Sequence, residues 1–372
     1  YTRRVIEDAL PAALAASRAG HPALIVLWQQ NPDATQRMAG LGTAAAFAAL
    51  RACDANLGRL RAAIGKTGIA RATDLMVLSD HGFATIRMEV ALGDMLVTAG
   101  LKKTGNSRDI IVASNGGSDL IYLSQQAFPD PEARRAMLAR IVDFVAAQEW
   151  GGPIFAHAGP PAGSTGKDPN LGWIPGTFSQ KLLGLDNADR SPDLVVSFRE
   201  LADTDNRDLT GPGKPAFAIG LHGQDSTANH SAALVRPVAG VVYADNDGDP
   251  FTTGMGMHGA AGARELHNFC AAAGPDFRRR LTDQDPTGNI DIAPTIRAIF
   301  GLPAVTSSTG RVLSEALSAT SQAEQPPYSL TATAYLVLQD GRVVTRLQFT
   351  HFAGHDYLDD SIVSHAPIEQ TR

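Results

Sequence analysis

Two stretches of the chain, ALIVLWQQNPD (23–33) and DLMVLSDHGF (74–83), share one pattern: a short unbroken run of Leu, Ile, Val and Met that gives way to Asp. Runs of this length without polar alternation predict strands buried on both faces of a parallel sheet. Between them, GTAAAFAALRACDANLGRLRAAIG (42–65) spaces Phe47, Leu50, Leu57 and Leu60 along one side of a helix and offers Gly65 as its stop. Strand, helix, strand is a βαβ unit with a right-handed crossover. The carboxyl ends of its strands open on one sheet edge, where open α/β folds bind ligands, so Asp33 and Asp80 are expected there.

Downstream, EARRAMLARIVDFVAAQ (132–148) predicts an amphipathic helix, and the Gly-, Pro- and Asn-rich stretch 149–190 a long insertion or cap. PDLVVSF (192–198) and part of LVRPVAGVVYADNDGD (234–249) predict strands. TGNIDIAPTIRAIFGLP (287–303) predicts a turn and a helix ending at Gly301, and TATAYLVLQDGRVVTRLQF (331–349) a β-hairpin around Asp340-Gly341.

Composition narrows the class. The 372 residues are 44% hydrophobic and 19% charged, enough for one large decorated α/β domain or two ordinary ones. No apolar run reaches the roughly 18 to 20 residues of a membrane span. A net charge of −6 without a block of Lys and Arg argues against a nucleic-acid duplex as partner, while leaving room for a small anion. Cys53 and Cys270 are too few for a disulfide scaffold or thiolate zinc cluster and read as small core residues. The opening YTRRVIEDALPAALAASRAGHPALIVLW has no initiator Met and no signal peptide, and runs a helix at once into a buried-type strand. A further segment carrying functional residues is therefore expected ahead of Tyr1.

The chemistry concentrates at the strand ends. Two carboxylates about 4 Å apart repel by roughly 4 kcal/mol at an effective dielectric of about 20, a cost that a dication removes. Helix capping is the plainer use of Asp33. His81 beside Asp80, with Gly82 after it, supplies mixed N and O ligation suited to zinc or a similar metal. His258, in GMGMHGAAG (254–262), sits among glycines that allow close backbone approach to an ion or oxyanion. His222, in GLHGQD, is a weaker rival, and the remaining histidines read as surface or packing residues. AGSTGKD (162–168) misplaces the first glycine of a phosphate loop, and DNDGDP (245–250) misplaces the glycine of a calcium loop. There is no HExxH and no GxSxG.

In order, NPDATQ, ALRACDANLGRL, DLMVLSDHGF, GMHGAAGARELHNFCAAAGPDF and NIDIAPTIRAIFGLP resemble the alkaline phosphatase superfamily, nearest its type I phosphodiesterase/nucleotide pyrophosphatase branch. The resemblance covers residues 20–105 and 235–315. It implies a three-layer αβα sandwich with a mostly parallel central sheet, the main domain over 1–315 with a cap within 149–250, and a β-hairpin extension over 316–372. It also implies two divalent metal ions, most simply Zn2+, at the sheet's carboxyl edge. Asp33 and His258 would serve one, and Asp80 and His81 the other, with a Thr or Ser nucleophile expected ahead of Tyr1.

Arg37 departs from the family pattern, which has a His four residues after Asp33. A guanidinium stays protonated and cannot ligate a metal, but it can clamp a phosphoryl oxygen. The implied activity is hydrolysis of small phosphodiesters or nucleotide pyrophosphates through a covalent phospho-enzyme, in a periplasmic or secreted setting. Phosphonate, sulfate-ester or phosphomonoester hydrolysis in the same superfamily is one alternative. A non-catalytic relative with a degraded metal site is another, as is a metal-independent α/β module in which Asp33 and Asp80 are caps.

Overall fold

A computed structural model describes residues 1–159, 168–185, 187, 189–201, 241–245, 253–305, 309–318, 325–339 and 341–366. His222 with GLHGQD, most of AGSTGKD and DNDGDP, and Asp340 of the hairpin lie outside the described residues. Helices α1 (Thr2–Arg4), α2 (Leu10–Arg18), α3 (Asp33–Ala39) and α4 (Ala44–Thr67) precede strands β1 (Leu75–Leu78) and β2 (Ala84–Val90). Then come α5 (Leu92–Thr98), β3 (Ile110–Ser114), β4 (Ser118–Leu123), α6 (Pro131–Ala146), β5 (Gly151–Ala156), β6 (Phe178–Ser179), β7 (Leu194–Phe198), β8 (Glu200–Leu201) and β9 (Val241–Asp245). The order closes with β10 (Gly256–Met257), α7 (Ala263–Leu266), β11 (Cys270–Ala273), α8 (Ile292–Ile299), β12 (Tyr328–Val337), β13 (Arg342–Phe352) and β14 (His355–Ala366). The class is α/β, with mixed sheets and helices. By mutual contact the chain divides into two units: Tyr1–Asp80 with Asn268–Ser329 and Thr350–Tyr357, and His81–His267 with Leu330–Phe349 and Leu358–Arg372.

In the first unit, α4 forms where its periodicity predicts. Thr43 caps it by accepting from Ala46 N, and the chain leaves it at Gly68, whose φ of 81° a residue with a Cβ adopts at a cost. Gly65 is one turn short of that stop. The flanking expectation fails, because ALIVLW forms no strand: Val26 is 82% and Trp28 71% exposed. A run is buried as sheet only when neighbours take its backbone groups, and none does so among the described residues. The βαβ crossover is accordingly not formed. Strand β1 instead pairs antiparallel with β11, Leu75 opposite Ala273 and Leu78 opposite Cys270. Both cysteines are free thiols, and neither is a core residue. Cys270 lies on the exposed β11, and Cys53 donates its thiol to the Asn31 carbonyl at 2.9 Å.

Helix α8 is anchored by a buried polar network. Asp291 accepts from Gly288 N (2.9 Å), Arg311 N (2.8 Å) and the Tyr357 hydroxyl (3.0 Å), while the Arg311 guanidinium spans both Glu315 oxygens (2.8 and 2.7 Å). Burial, with Asp291 alongside, pushes the Tyr357 hydroxyl up to about 12. With its charges paired and hydrogen-bonded, the network avoids the penalty of isolated buried ions.

The second unit is built on the sheet β3-β4-β7-β5-β6, antiparallel except for β5 with β6. Tight connections such as Asn115-Gly116-Gly117 between β3 and β4 permit only antiparallel pairing. Helix α6 starts at an Asp130 cap with Pro131 in its first turn, and buries Leu138, Ile141, Val142 and Val145. These pack with Leu92, Leu96, Ile110, Ile121 and Val196 into the main core. Asp193, just ahead of β7, receives Leu123 N (2.7 Å) and a two-pronged Arg134 (2.6 and 2.7 Å), tying α6 to the sheet.

A second sheet, β10-β2-β9-β8, pairs β2 parallel with β9 and its other neighbours antiparallel. The expected mostly parallel central sheet is thus a set of mixed sheets among the described residues. The C-terminal hairpin forms as β12–β13 and gains a third strand, β14, that the pattern did not single out. Ala332, Ala334, Leu347 and Phe349 of its inner face pack on Phe155, Phe178 and Val195.

At the start of β1, Asp74 Oδ1 accepts from Asp276 N at 3.2 Å, and burial together with the Asp276 carboxyl pushes Asp74 up to about 6. An acid whose pKa is higher folded than unfolded stabilises the fold fully below its unfolded pKa. That contribution is lost as pH rises through the folded value. Chemical denaturation should show stability falling from pH 4 to pH 7 through this group, and Asp74→Asn should flatten that part of the slope. An unchanged slope in the variant would exclude Asp74 as the titrating group.

Candidate metal centre

The end of β1 is fixed within the first unit. Ser79 N donates to Phe269 O, Ser79 Oγ accepts from Phe269 N (both 2.9 Å), and the Asn289 side chain donates to the Asp80 carbonyl at 2.7 Å. Asp80 itself is exposed. In the same unit Asp33 is the first residue of α3. Its side chain does not cap the helix; Oδ2 instead receives Arg37 Nε one turn later at 3.1 Å. Asp33 therefore carries a paired carboxylate.

In the second unit the chain turns sharply at Gly82. A Cβ there would stand 2.0 Å from the Arg264 carbonyl oxygen and 2.5 Å from that of His267. Glycine is required for lack of space. His81 and His258 stack with ring centroids 3.6 Å apart and planes inclined by 21°, and Phe83 lies edge-on to His258 at 5.3 Å. A ring nitrogen of one histidine lies within 4.8 Å of one of the other. His81 Nδ1 is 2.8 Å from the Gly82 carbonyl, which can only accept, so Nδ1 carries the proton in that contact and Nε2 is the nitrogen that a metal could use. That tautomer is the one a metal-binding histidine uses when its other nitrogen is held by a carbonyl.

The His258 turn is tightly held. Gly117 N donates to the His258 carbonyl (2.9 Å), Ala261 N to Ser197 Oγ (2.9 Å), and Ala260 N to Glu265 Oε2 (2.6 Å). The Asn115-Gly116-Gly117 turn lies so close that a Cβ on Gly117 would meet Ala260 N at 2.4 Å. Gly259, at φ 111°, faces the Asn115 carbonyl in return. Sequence reasoning found both histidines but missed Glu265, Asn289, Ser197 and this glycine turn. The one visible signal was Asn-Gly-Gly between two apolar runs.

A sequence model of the type I phosphodiesterase / nucleotide pyrophosphatase family matches residues 1–225. The chain belongs to that family, a branch of the alkaline phosphatase superfamily. Among solved structures it is similar to murine ectonucleotide pyrophosphatase/phosphodiesterase 5 (16% identity, TM-score 0.50) and to the human protein of the same name (15%, TM-score 0.51). In each case the match covers 84% of this chain and 64% of the other, so the chain spans less than two thirds of the length of those proteins. At this identity the likeness concerns the fold. No curated protein matches. No helix among the described residues is long and apolar enough to cross a membrane.

Gly82→Ala should therefore be disruptive out of proportion to one methyl group. Forcing a side chain into filled space costs about 1–3 kcal/mol, expected as a melting temperature several degrees lower in thermal unfolding. Gly65→Ala, where nothing lies within 4 Å of the new Cβ, should not lower it.

Proposed function

We propose that the chain is a metal-dependent hydrolase of phosphoric esters, acting on small phosphodiesters or nucleotide pyrophosphate bonds. The observation that carries this reading is the His81–His258 pair, in a chain that belongs to the phosphodiesterase family. Two nitrogens about 2.1 Å from one zinc ion stand at most about 4.2 Å apart, so sharing an ion asks the stacked rings to turn their in-plane lone pairs toward a common point. On the family's motif order Asp80 is assigned as the carboxylate ligand that accompanies His81, and Asp33 as the one that accompanies His258. Such an ion supplies Lewis-acid stabilisation of charge developing on phosphoryl oxygens.

This chain's own residues account for the rest. His81 enters with its proton held at Nδ1. Arg37 takes the place of the family's histidine and is assigned to a phosphoryl oxygen, standing in for the charge of a second cation. One zinc ion per chain is therefore assigned, with Arg37 the second positive centre. The nucleophile implied by the resemblance is a Thr or Ser. Its oxygen bonds to phosphorus as the alcohol or nucleotide group departs with a proton, and water then cleaves the phospho-enzyme. The setting proposed is periplasmic or extracellular.

Elemental analysis of the purified protein tests the assignment. About one zinc per chain is expected in the wild type, lost in His81→Ala and His258→Ala and rising toward two in Arg37→His. Hydrolysis of a chromogenic phosphodiester should fall with the metal. Metal-free wild type and variants would overturn the reading in favour of a non-catalytic relative, for which the Asp33–Arg37 ion pair is the best support.

A further inference from the structure

We infer that Glu265 is the positioning residue of the histidine pair, one buried carboxyl-bearing residue that holds the His258 turn and the Gly82 turn at a common spacing. The consequence for metal affinity rests on the reading above. The brace itself rests on geometry within the second unit.

Glu265 is only 3% exposed, on the four-residue helix α7. It is attached at both ends. Its side chain accepts from Ala260 N through Oε2 at 2.6 Å, and its backbone carbonyl accepts from Gly82 N at 2.8 Å. One residue thereby joins the segment two residues past His258 to the segment one residue past His81. The other carboxyl oxygen, Oε1, is buried without a hydrogen-bond partner among the described residues. A fold that needed only to fill this volume would do so with an apolar side chain and avoid that penalty.

Helix α7 is itself pinned. Ala263 N donates to Asp360 Oδ1 (3.2 Å) and Arg264 N to Glu200 Oε2 (3.1 Å), while the Arg264 and His267 carbonyls wall the space beside Gly82. The charged and titratable neighbours of this cluster are Glu200, Arg264, His267 and Asp360. Burial pushes the Glu265 carboxyl up to about 8, so near neutral pH it is mostly the uncharged acid, which glutamine copies in shape and acceptor.

Glu265→Ala and Glu265→Gln separate positioning from packing by two readouts. Zn2+ affinity, measured by competition with a chromogenic chelator well below the melting temperature, should fall about 10–100-fold in Glu265→Ala, the range seen for groups that orient metal ligands. Glu265→Gln should stay near wild type. Amide hydrogen exchange in zinc-free protein should show protection of Ala260, whose acceptor is the Glu265 side chain, lost in the alanine variant and kept in the glutamine variant. Should Glu265→Ala fail to fold, Glu265→Met fills the volume without an acceptor and takes its place. Wild-type affinity and wild-type exchange in the alanine or methionine variant would overturn the brace, whatever its melting temperature. If the wild type binds no zinc, the metal reading falls. Exchange then decides the brace: selective loss in Glu265→Ala supports it, and unchanged protection overturns it.

Discussion

Two backbone carbonyls, those of Arg264 and His267, occupy the space that a side chain at residue 82 would need. Much of the candidate site follows from that closeness. A glycine lets the chain leave His81 directly against α7, which brings Gly82 N onto the Glu265 carbonyl. His81 is then held by its own turn, with its Nδ1 proton on the Gly82 carbonyl. The His258 turn approaches from the other side under the same rule, where Gly116, Gly117 and Gly259 interlock at distances no Cβ could share. Stacked imidazoles are the product of backbone packed to contact, and little of their placement depends on flexible side chains.

Each unit holds some of its buried polar groups in dense networks. Asp291 takes three donors and Arg311 spans Glu315, while Asp193 takes an amide and a guanidinium. Such networks contribute little over an apolar core when complete and cost several kcal/mol when one partner is removed, so they fix geometry more than they add stability. Other buried polar atoms lack a hydrogen-bond partner among the described residues, Arg134 Nη1, Gln180 Oε1 and Glu265 Oε1 among them.

The elements legible in the sequence were those whose signals are local. Helices α4, α6 and α8 announced themselves by apolar spacing and by the Thr43, Asp130 and Gly301 punctuation, and the β12–β13 hairpin by alternation. His81 and His258 stood out because imidazoles among glycines suit neither strand nor core. What failed depends on neighbours. ALIVLW has a strand's composition, yet a strand exists only where another backbone pairs with it, and β11, written Cys-Ala-Ala-Ala, carries no pattern although it is the partner of β1. Glu265 was invisible for a similar reason: in AREL it reads as a solvated helix residue, and only tertiary contact shows it buried.

Arg37 bears most directly on the chemistry. In a helix, residues four apart face each other, so the position that the family pattern gives to a histidine is also the position from which an arginine pairs with Asp33. The guanidinium therefore balances the Asp33 charge locally, one turn along α3. The first unit thus holds Asp33 and Arg37 as a carboxylate–guanidinium pair one turn apart on α3, while in the second unit the glycine turns hold His81 and His258 as a stacked imidazole pair.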